Sequence, residues 1–123
     1  MLMYPKEYLE FSELIKKYVV LHIMINVLEI DRQTIRQSSC KLAKVYDDIL
    51  NEVQWRIEKD LRLLKKRMRE LGGTVIEEEQ QPTVRIVKAK FRGFIYTHRF
   101  LNYLLQAESE QMLKSYLAYN NPS

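Results

Sequence analysis

The sequence contains neither glycine nor proline from Lys6 to Leu71. Because these two residues most often end or kink a helix, so long an interval without them favours helical structure. Three glycines and three prolines in 123 residues also argue against an all-β fold that is dense in turns. The chain breakers all lie outside the interval: Pro5, Gly72, Gly73, Pro82, Gly93 and Pro122.

A first helix is predicted to start after Pro5, since proline suits the first turn of a helix. Apolar residues recur every three or four positions from Tyr8 onward and therefore share one face. Beyond Tyr18 the apolar face widens, and a helix with so narrow a polar stripe is expected to be buried nearly all round. The polar stripe consists of His22, Asn26, Glu29 and Gln33.

A second, longer helix is predicted over residues 31–71. The Asp31 carboxylate could accept hydrogen bonds from its first amides, and Ser38 or Ser39 are alternative starting points. The double glycine that follows supplies the backbone freedom with which helices commonly end. The apolar residues recur at steps of three or four: Leu42, Tyr46, Ile49, Val53, Ile57, Leu61, Leu64, Met68 and Leu71.

The predicted length of this second helix points to a homodimer. Such a helix would be about 60 Å long, whereas a compact domain of this size is only about 35 Å across. The helix should therefore overhang, bend or meet a second subunit. We expect self-association through the wide apolar helix at residues 18–28, together with the apolar stripe of the long helix. The expected dimer contacts are Tyr18, Val19, Ile23 and Val27.

A β-hairpin is predicted after the double glycine, because two segments rich in β-branched side chains flank a Gln-Gln-Pro turn. The expected register places Ile76 opposite Ile86, and it places Glu77 opposite Arg85 as a favourable cross-strand pair. Val75 would then face Val87. The two segments are residues 74–79 and 83–91.

Gly93 is expected to end the hairpin, and a last helix is predicted over residues 95–116. The expected fold is thus α+β and predominantly α-helical, like a helical bundle: N-terminal helix, long central helix, hairpin, C-terminal helix. A length of 123 residues suits a single domain, here residues 1–123. A composition that is 46% hydrophobic and 29% charged is that of a folded chain rather than a disordered one.

Four short segments carry a resemblance to a known family: residues 27–31 (VLEID), Lys41-Leu42 followed by Tyr46, residues 71–79 (LGGTVIEEE), and residues 91–94 (FRGF) running into His98-Arg99-Phe100. The chain resembles the YhjD-like family of uncharacterised small helical proteins of Gram-positive bacteria. The resemblance implies a cytoplasmic bacterial protein. It supplies no activity, ligand or catalytic residue.

Charge and hydropathy indicate the compartment and the classes of partner. The formal net charge of +4 permits a nucleic-acid partner without requiring one. The N-terminal segment lacks the basic and apolar regions of a signal peptide. The most apolar run, residues 18–30, is shorter than the roughly 18 apolar residues of a membrane span. A lone cysteine, Cys40, cannot form an internal disulfide. We expect a cytoplasmic protein with no membrane partner.

The sequence offers no motif for catalysis, metal binding or a cofactor. It has no Gly-x-Ser-x-Gly elbow, no glycine-rich phosphate loop, no His-Glu-x-x-His and no Glu-x-x-His pair. Three consecutive acids, Glu77 to Glu79, would alternate between the faces of a strand and would not converge on one ion. We expect no enzyme activity, no cofactor and no metal. The expected role is that of a small interaction or regulatory protein that binds another macromolecule.

Three chemically versatile side chains have structural interpretations. His22 lies on the polar stripe and is expected to be buried and hydrogen-bonded, with pH sensing as the alternative. His98 is expected to play a local structural role. Cys40 is expected to be an ordinary small residue, although the adjacent Lys41 could lower the pKa of its thiol.

Residues 83–103 support an alternative function. They contain five cations and no acid, with aromatic residues interleaved. Proteins that bind single-stranded nucleic acid combine cations that follow the backbone with aromatic rings that stack on bases. The same aromatic residues would also suit the core beneath a hairpin. The candidate nucleic-acid contacts are Arg85, Lys88, Lys90, Arg92 and Arg99, with help from Arg62, Lys66 and Arg69 on the long helix.

Overall fold

The computed structural model describes residues 6–119 and contains three helices and three strands in that range. Pro5, expected at the first turn of the first helix, lies outside the described residues. The predicted α+β, mainly helical fold is confirmed, with one strand more than expected. The elements are α1 (Lys6–Arg36), α2 (Ala43–Glu70), β1 (Gly73–Gln80), β2 (Val84–Phe91), β3 (Phe94–Leu101) and α3 (Asn102–Tyr119).

The boundary between the two long helices differs from the prediction. The start at Asp31 is wrong, because α1 continues to Arg36 and the chain turns over residues 37–42. Ser38 holds this turn: its hydroxyl donates to the Ile35 carbonyl at 2.6 Å and accepts from the Cys40 amide at 3.2 Å. Helices of 31 and 28 residues are about 46 and 42 Å long rather than about 60 Å.

Helix α1 forms the centre of the hydrophobic core. Its side chains Phe11, Ile15 and Val19 are spaced four residues apart and are fully buried. The predicted apolar stripe of α2 packs into the same core from Val53 to Met68. The sheet contributes the buried side chains Val87, Ala89 and Phe91.

The sheet has the antiparallel order β1-β2-β3, and its register differs from the prediction. Ile76 does not face Ile86, Val75 pairs with Ala89 rather than Val87, and Glu77 pairs with Lys88 rather than Arg85. Strand β1 extends through Gln80, so the turn comes later than expected. A bulge between Val75 and Glu77 shifts the pairing further, because Ile76 is the extra residue there.

The predicted last helix begins too early. Arg92 and Gly93 both have positive φ angles, +50° and +89°, as in the tight two-residue turns that suit the twist of a hairpin. Gly93 is therefore a turn residue, and the chain returns along β2 as a third strand. Burial along Phe94–Leu101 alternates, with every second side chain half-buried, which is the period of a strand. The helix then starts at Asn102.

Helix α3 packs across the two long helices. The Tyr116 hydroxyl donates a hydrogen bond to Asp60 of α2, and Arg56 of α2 donates a hydrogen bond to the Tyr116 carbonyl at 2.7 Å. An ion pair between Lys16 and Glu108 joins α3 to α1. None of the helices within residues 6–119 combines the length and apolarity needed to cross a bilayer.

Candidate interaction surface

The residues predicted as dimer contacts occupy different environments. Val19 is fully buried in the core of its own chain, and the surface proposed below therefore omits it. Tyr18 is half-buried, with its ring 4.5 Å from that of His22 and beneath the Lys65 ammonium. Ile23 is partly buried and Val27 is 46% exposed. Of the four residues, Val27 has the most open side chain.

The residue before α2 and the first two turns of α2 expose a row of large apolar side chains, which we call the tip stripe: Leu42, Val45, Tyr46 and Ile49. Their exposed fractions lie between 42% and 56%. Their spacing of three and four residues places them on one helical face. Farther along α2, the same three- and four-residue spacing reaches Arg56 and Asp60, which α3 covers through Tyr116. The tip stripe is thus the part of this face that α3 does not reach.

The adjoining end of α1 is apolar as well. Ile30 is 64% exposed and Val27 is 46% exposed. Arg32 ties this end of α1 to the start of α2, because its Nε donates to Asp47 at 2.8 Å and its Nη1 donates to Gln54 at 3.2 Å. The two helix ends therefore form one rigid hairpin with apolar side chains on both members.

A groove of about 520 Å³ lies between α1, α3 and the open end of the sheet. Apolar side chains from both helices form its walls, among them Ile23, Val27 and Leu113. Arg85 closes the sheet end, where it donates to Gln80 at 2.8 Å and forms an ion pair with Glu78. The groove thus has apolar walls, and the charge of the Arg85 guanidinium at its end is already neutralised by Glu78.

The five candidate nucleic-acid contacts do not form one patch. Burial alternates along β2, with Val87 buried and Lys88 exposed. Lys88, Lys90 and Arg99 share the outer sheet face, by which we mean the face turned away from the helices. Arg85 lies on the inner face against Glu78. Arg92 lies in the tight turn with its guanidinium 5.0 Å from the centre of the Phe91 ring.

The aromatic residues of this segment mostly face away from those cations. Phe91 is 3% exposed and stacks on Phe11 of α1 with ring centres 5.0 Å apart. Tyr96 lies 4.6 Å from the Tyr8 ring, and Phe100 packs against the core. Cations and aromatic residues that are interleaved in the sequence therefore lie on opposite faces of the sheet, because successive side chains of a strand alternate. Arg62, Lys66 and Arg69 are exposed on α2.

The two histidines lie in separate, partly buried places. Burial lowers the pKa of His22; Glu78 opposes this shift and Lys65 and Arg85 reinforce it. Burial also lowers the pKa of His98. Both imidazoles therefore favour the neutral form.

Polar clusters that could support chemistry are incomplete in the part of the chain that the structure describes. Ser12 Oγ and His98 Nε2 are 3.5 Å apart, but His98 Nδ1 has no hydrogen-bond partner among these residues. Cys40 is exposed in the turn between α1 and α2. No group of three or more His, Cys, Asp or Glu side chains within residues 6–119 could hold a metal ion.

A second groove involves a residue that sequence analysis did not single out. Trp55 is 60% exposed and Leu63 is 57% exposed on the outside of α2. They border a cavity of about 580 Å³, which Met112 and Tyr116 of α3 close on the other side. The signal in the sequence was that Trp55 falls outside the periodic apolar stripe of the helix. We call this cavity the Trp55 groove.

Comparison with known proteins gives one consistent family. The family model described as "YhjD protein" matches residues 6–121. The chain is 24% identical over 108 residues to a protein named "Uncharacterized protein YhjD" from Bacillus subtilis (strain 168). That alignment covers 88% of this chain and 90% of the relative. No solved structure matches the chain significantly.

Proposed function

The chain belongs to the YhjD family, and from that premise we propose that it is a small non-enzymatic protein of the cytoplasm that forms a homodimer and binds another macromolecule. The tip stripe is the observation that carries the proposal. Four large apolar side chains in a row on a helix are unusual on a monomeric surface, and such patches mark interaction sites.

The overhang of the two long helices supports self-association. Helices of about 46 and 42 Å extend beyond what α3 and the sheet cover. A second copy that laid its own helical hairpin against the first would bury both tip stripes at once. Contacts of this kind are self-complementary, as in a two-fold symmetric dimer.

Within residues 6–119, the contact between Ser12 and His98 lacks the third member of a catalytic triad, and this supports the proposed non-enzymatic role. In a catalytic triad the imidazole Nδ1 donates to a carboxylate that holds the ring in place. His98 Nδ1 has no such partner within residues 6–119. The exposed thiol of Cys40 suits a reducing compartment such as the cytoplasm.

Sedimentation velocity tests the dimer directly. We expect the wild-type protein at high micromolar concentration to sediment with twice the mass of one chain. Ile49→Lys, which places a charge at one end of the tip stripe, should shift the protein to monomer. Ile95→Lys is the matched control, because Ile95 is 66% exposed on the outer sheet face; that variant should remain dimeric.

Two results would contradict this proposal. One is a monomeric wild-type protein over the whole concentration range. The other is a dimer that Ile95→Lys disrupts and Ile49→Lys leaves intact, since this would move the contact from the helices to the sheet. Circular dichroism of both variants shows whether the fold is retained.

Nucleic-acid binding is a second candidate function, favoured by the three cations that share the outer sheet face. Lys88 lies 3.8 Å from Glu77, so part of this charge is offset within the chain. Fluorescence anisotropy with labelled single- and double-stranded DNA and RNA at two salt concentrations tests it. Binding through Lys88, Lys90 and Arg99 should weaken steeply with salt.

A charge-matched pair of variants separates this site from a general effect of net charge. Replacing Lys88, Lys90 and Arg99 by alanine should reduce the salt slope. Replacing three other exposed lysines by alanine changes net charge equally and should leave the slope unchanged: Lys41, Lys44 and Lys114. Absence of binding at low salt would reject this function.

A further inference from the structure

The Trp55 groove combines an exposed aromatic ring with positive charge. The chain has a single tryptophan, and its indole is 60% exposed at the border of a cavity rather than packed in the core. Tryptophan is among the residues that are enriched where partners bind most tightly, and its ring offers a large rigid face. A cavity of about 580 Å³ lies within the usual range for small-molecule sites, about 300 to 1,000 Å³.

Three cations line this groove: Lys17 of α1, and Arg56 and Lys59 of α2. Asp60 is the acid among the lining residues, and its carboxylate accepts a hydrogen bond from the Tyr116 hydroxyl. The lining residues therefore carry a net positive charge, and the carboxylate among them already accepts a hydrogen bond.

The arrangement around Arg56 is fixed before any ligand binds. Its Nη2 donates to the Tyr116 carbonyl at 2.7 Å, and its guanidinium lies 5.4 Å from the centre of the Tyr116 ring. Lys17 and Lys59 are exposed, and each carries a charge that can move toward an anion. One rigid cation beside two mobile ones suits an anionic group with several acceptor oxygens.

The acids near Trp55 restrict where such an anion can lie. Glu52 and Glu58 line a separate depression of about 350 Å³ that also borders Trp55. An anionic group is therefore attracted to the side of Lys17 and Lys59 and repelled from the side of the two glutamates. The indole of Trp55 borders both the groove and the depression, and it is therefore suited to contact an uncharged ring.

We propose that the Trp55 groove binds a nucleoside monophosphate, with the base stacked on Trp55 and the phosphate held by Lys17 and Lys59. Proteins that bind single-stranded nucleic acid without sequence preference stack the bases on aromatic side chains and hold the phosphates with cations. The site goes beyond the proposed dimer and does not depend on it.

The single tryptophan makes the test direct, because all indole fluorescence arises in the groove. The full-length protein at fixed concentration is titrated with AMP, adenosine and inorganic phosphate, with excitation at a wavelength that the base does not absorb. AMP should quench the emission saturably, adenosine should do so more weakly, and inorganic phosphate should leave the emission nearly unchanged. A short oligoadenylate distinguishes a free nucleotide from the end of a nucleic-acid strand.

Two double variants separate the groove from the overall charge. Replacing Lys17 and Lys59 by glutamine should weaken AMP binding about tenfold, a loss typical of removing charged contacts, and should leave adenosine binding unchanged. Replacing Lys41 and Lys114 by glutamine removes the same charge elsewhere and should leave both affinities unchanged. Circular dichroism confirms that each variant is folded.

The outcomes decide the proposal in either direction. No saturable quenching by AMP up to about 10 mM, ten times the Kd of a weak 1 mM site, would overturn it. Equal losses in the two double variants would also overturn it, because binding would then follow net charge rather than the groove. Sedimentation of the same samples reports the dimer separately, so failure of one proposal is distinguishable from failure of the other.

Discussion

Gly73 lies directly against the ring of Phe11: a Cβ atom at position 73 would stand 2.2 Å from Phe11 Cε1. Phe11 is fully buried and stacks on Phe91 of β2. Strand β1 therefore begins at the point where its backbone touches the second turn of α1. The glycine is needed here for close approach rather than for an unusual φ angle.

Gly73→Ala is expected to destabilise the protein by about 3 kcal/mol, at the upper end of what overpacking a core costs. Phe11→Leu in the same background should recover part of this loss, because the smaller side chain makes room for the new methyl group. Urea unfolding of the two single variants and the double variant measures the coupling. Purely additive losses would show that the two positions do not touch.

Tyr116→Phe is expected to cost about 1 to 2 kcal/mol, since it removes a hydrogen bond to the charged Asp60 and retains the ring. Burial and Asp60 raise the pKa of Tyr116 above its ordinary value of 10.0. The folded state therefore favours the protonated phenol, and its contribution to stability is complete below pH 10 and is lost as the pH rises through the raised pKa.

Unfolding measured at pH 8 and above pH 10 tests this contribution. The wild-type protein should lose stability over that interval more steeply than Tyr116→Phe, so that the two curves converge. Curves that stay parallel would show that the Tyr116 hydroxyl does not titrate differently in the folded state.

Asp47→Asn is expected to destabilise the helical hairpin at neutral pH. Hydrogen bonds from Arg32, and the charges of Arg32 and Arg36, hold the pKa of Asp47 below its ordinary value of 3.8. The folded state favours the carboxylate, so the stabilisation is present above that value and is lost as the pH falls through the lowered pKa. Urea midpoints of the two proteins should differ at pH 7 and approach each other below about pH 4.

His22 and His98 are expected to titrate below pH 6.5, because burial disfavours the imidazolium in both places. The unfolded chain then binds protons more readily than the folded chain, so stability should fall as the pH drops below 6.5. Proton NMR of the imidazole signals measures both pKa values. A titration midpoint above 6.5 for His22 would instead mean that Glu78 outweighs burial, Lys65 and Arg85.

The hydrophobic periodicity of α2 predicted which side chains share the face that forms the core. It did not predict which part of that face is covered by the rest of the chain. Val53, Ile57 and Leu61 are buried as predicted. Leu42 and Ile49 belong to the same periodic series and are exposed. Periodicity identifies which side chains share a face, but which part of that face α3 covers depends on the length and position of a distant helix.

Strand β3 was not predicted because the spacing of its residues is compatible with both a strand and a helix. Leu101 and Leu105 are spaced as on a helix, although Leu101 ends a strand and Leu105 lies in the helix that follows. Gly93 was expected to stop the hairpin, whereas it completes a tight turn together with Arg92. A glycine indicates a positive φ angle without indicating whether the chain then continues as a strand or as a helix.

The candidate site in residues 83–103 grouped side chains that the sheet places on opposite faces. Phe91 and Lys90 are neighbours in the sequence, and a strand turns neighbours to opposite faces. Lys88, Lys90 and Phe91 all lie in residues 83–91, which were predicted as a strand, so alternation alone separates them; only the residues of β3, among them Arg99, were placed by the helix predicted over residues 95–116. The Trp55 groove depends on contacts between α2 and α3 that no local pattern encodes.

The bulge at Ile76 has a consequence for how copies of this chain can associate. Strand β1 is an edge of the sheet, and a regular edge offers an unbroken row of amide and carbonyl groups on which a further strand can grow. The bulge breaks that row. Growth of the sheet from the β1 edge is thereby disfavoured, whereas the proposed two-fold contact between helices would close after two copies and leave no open end.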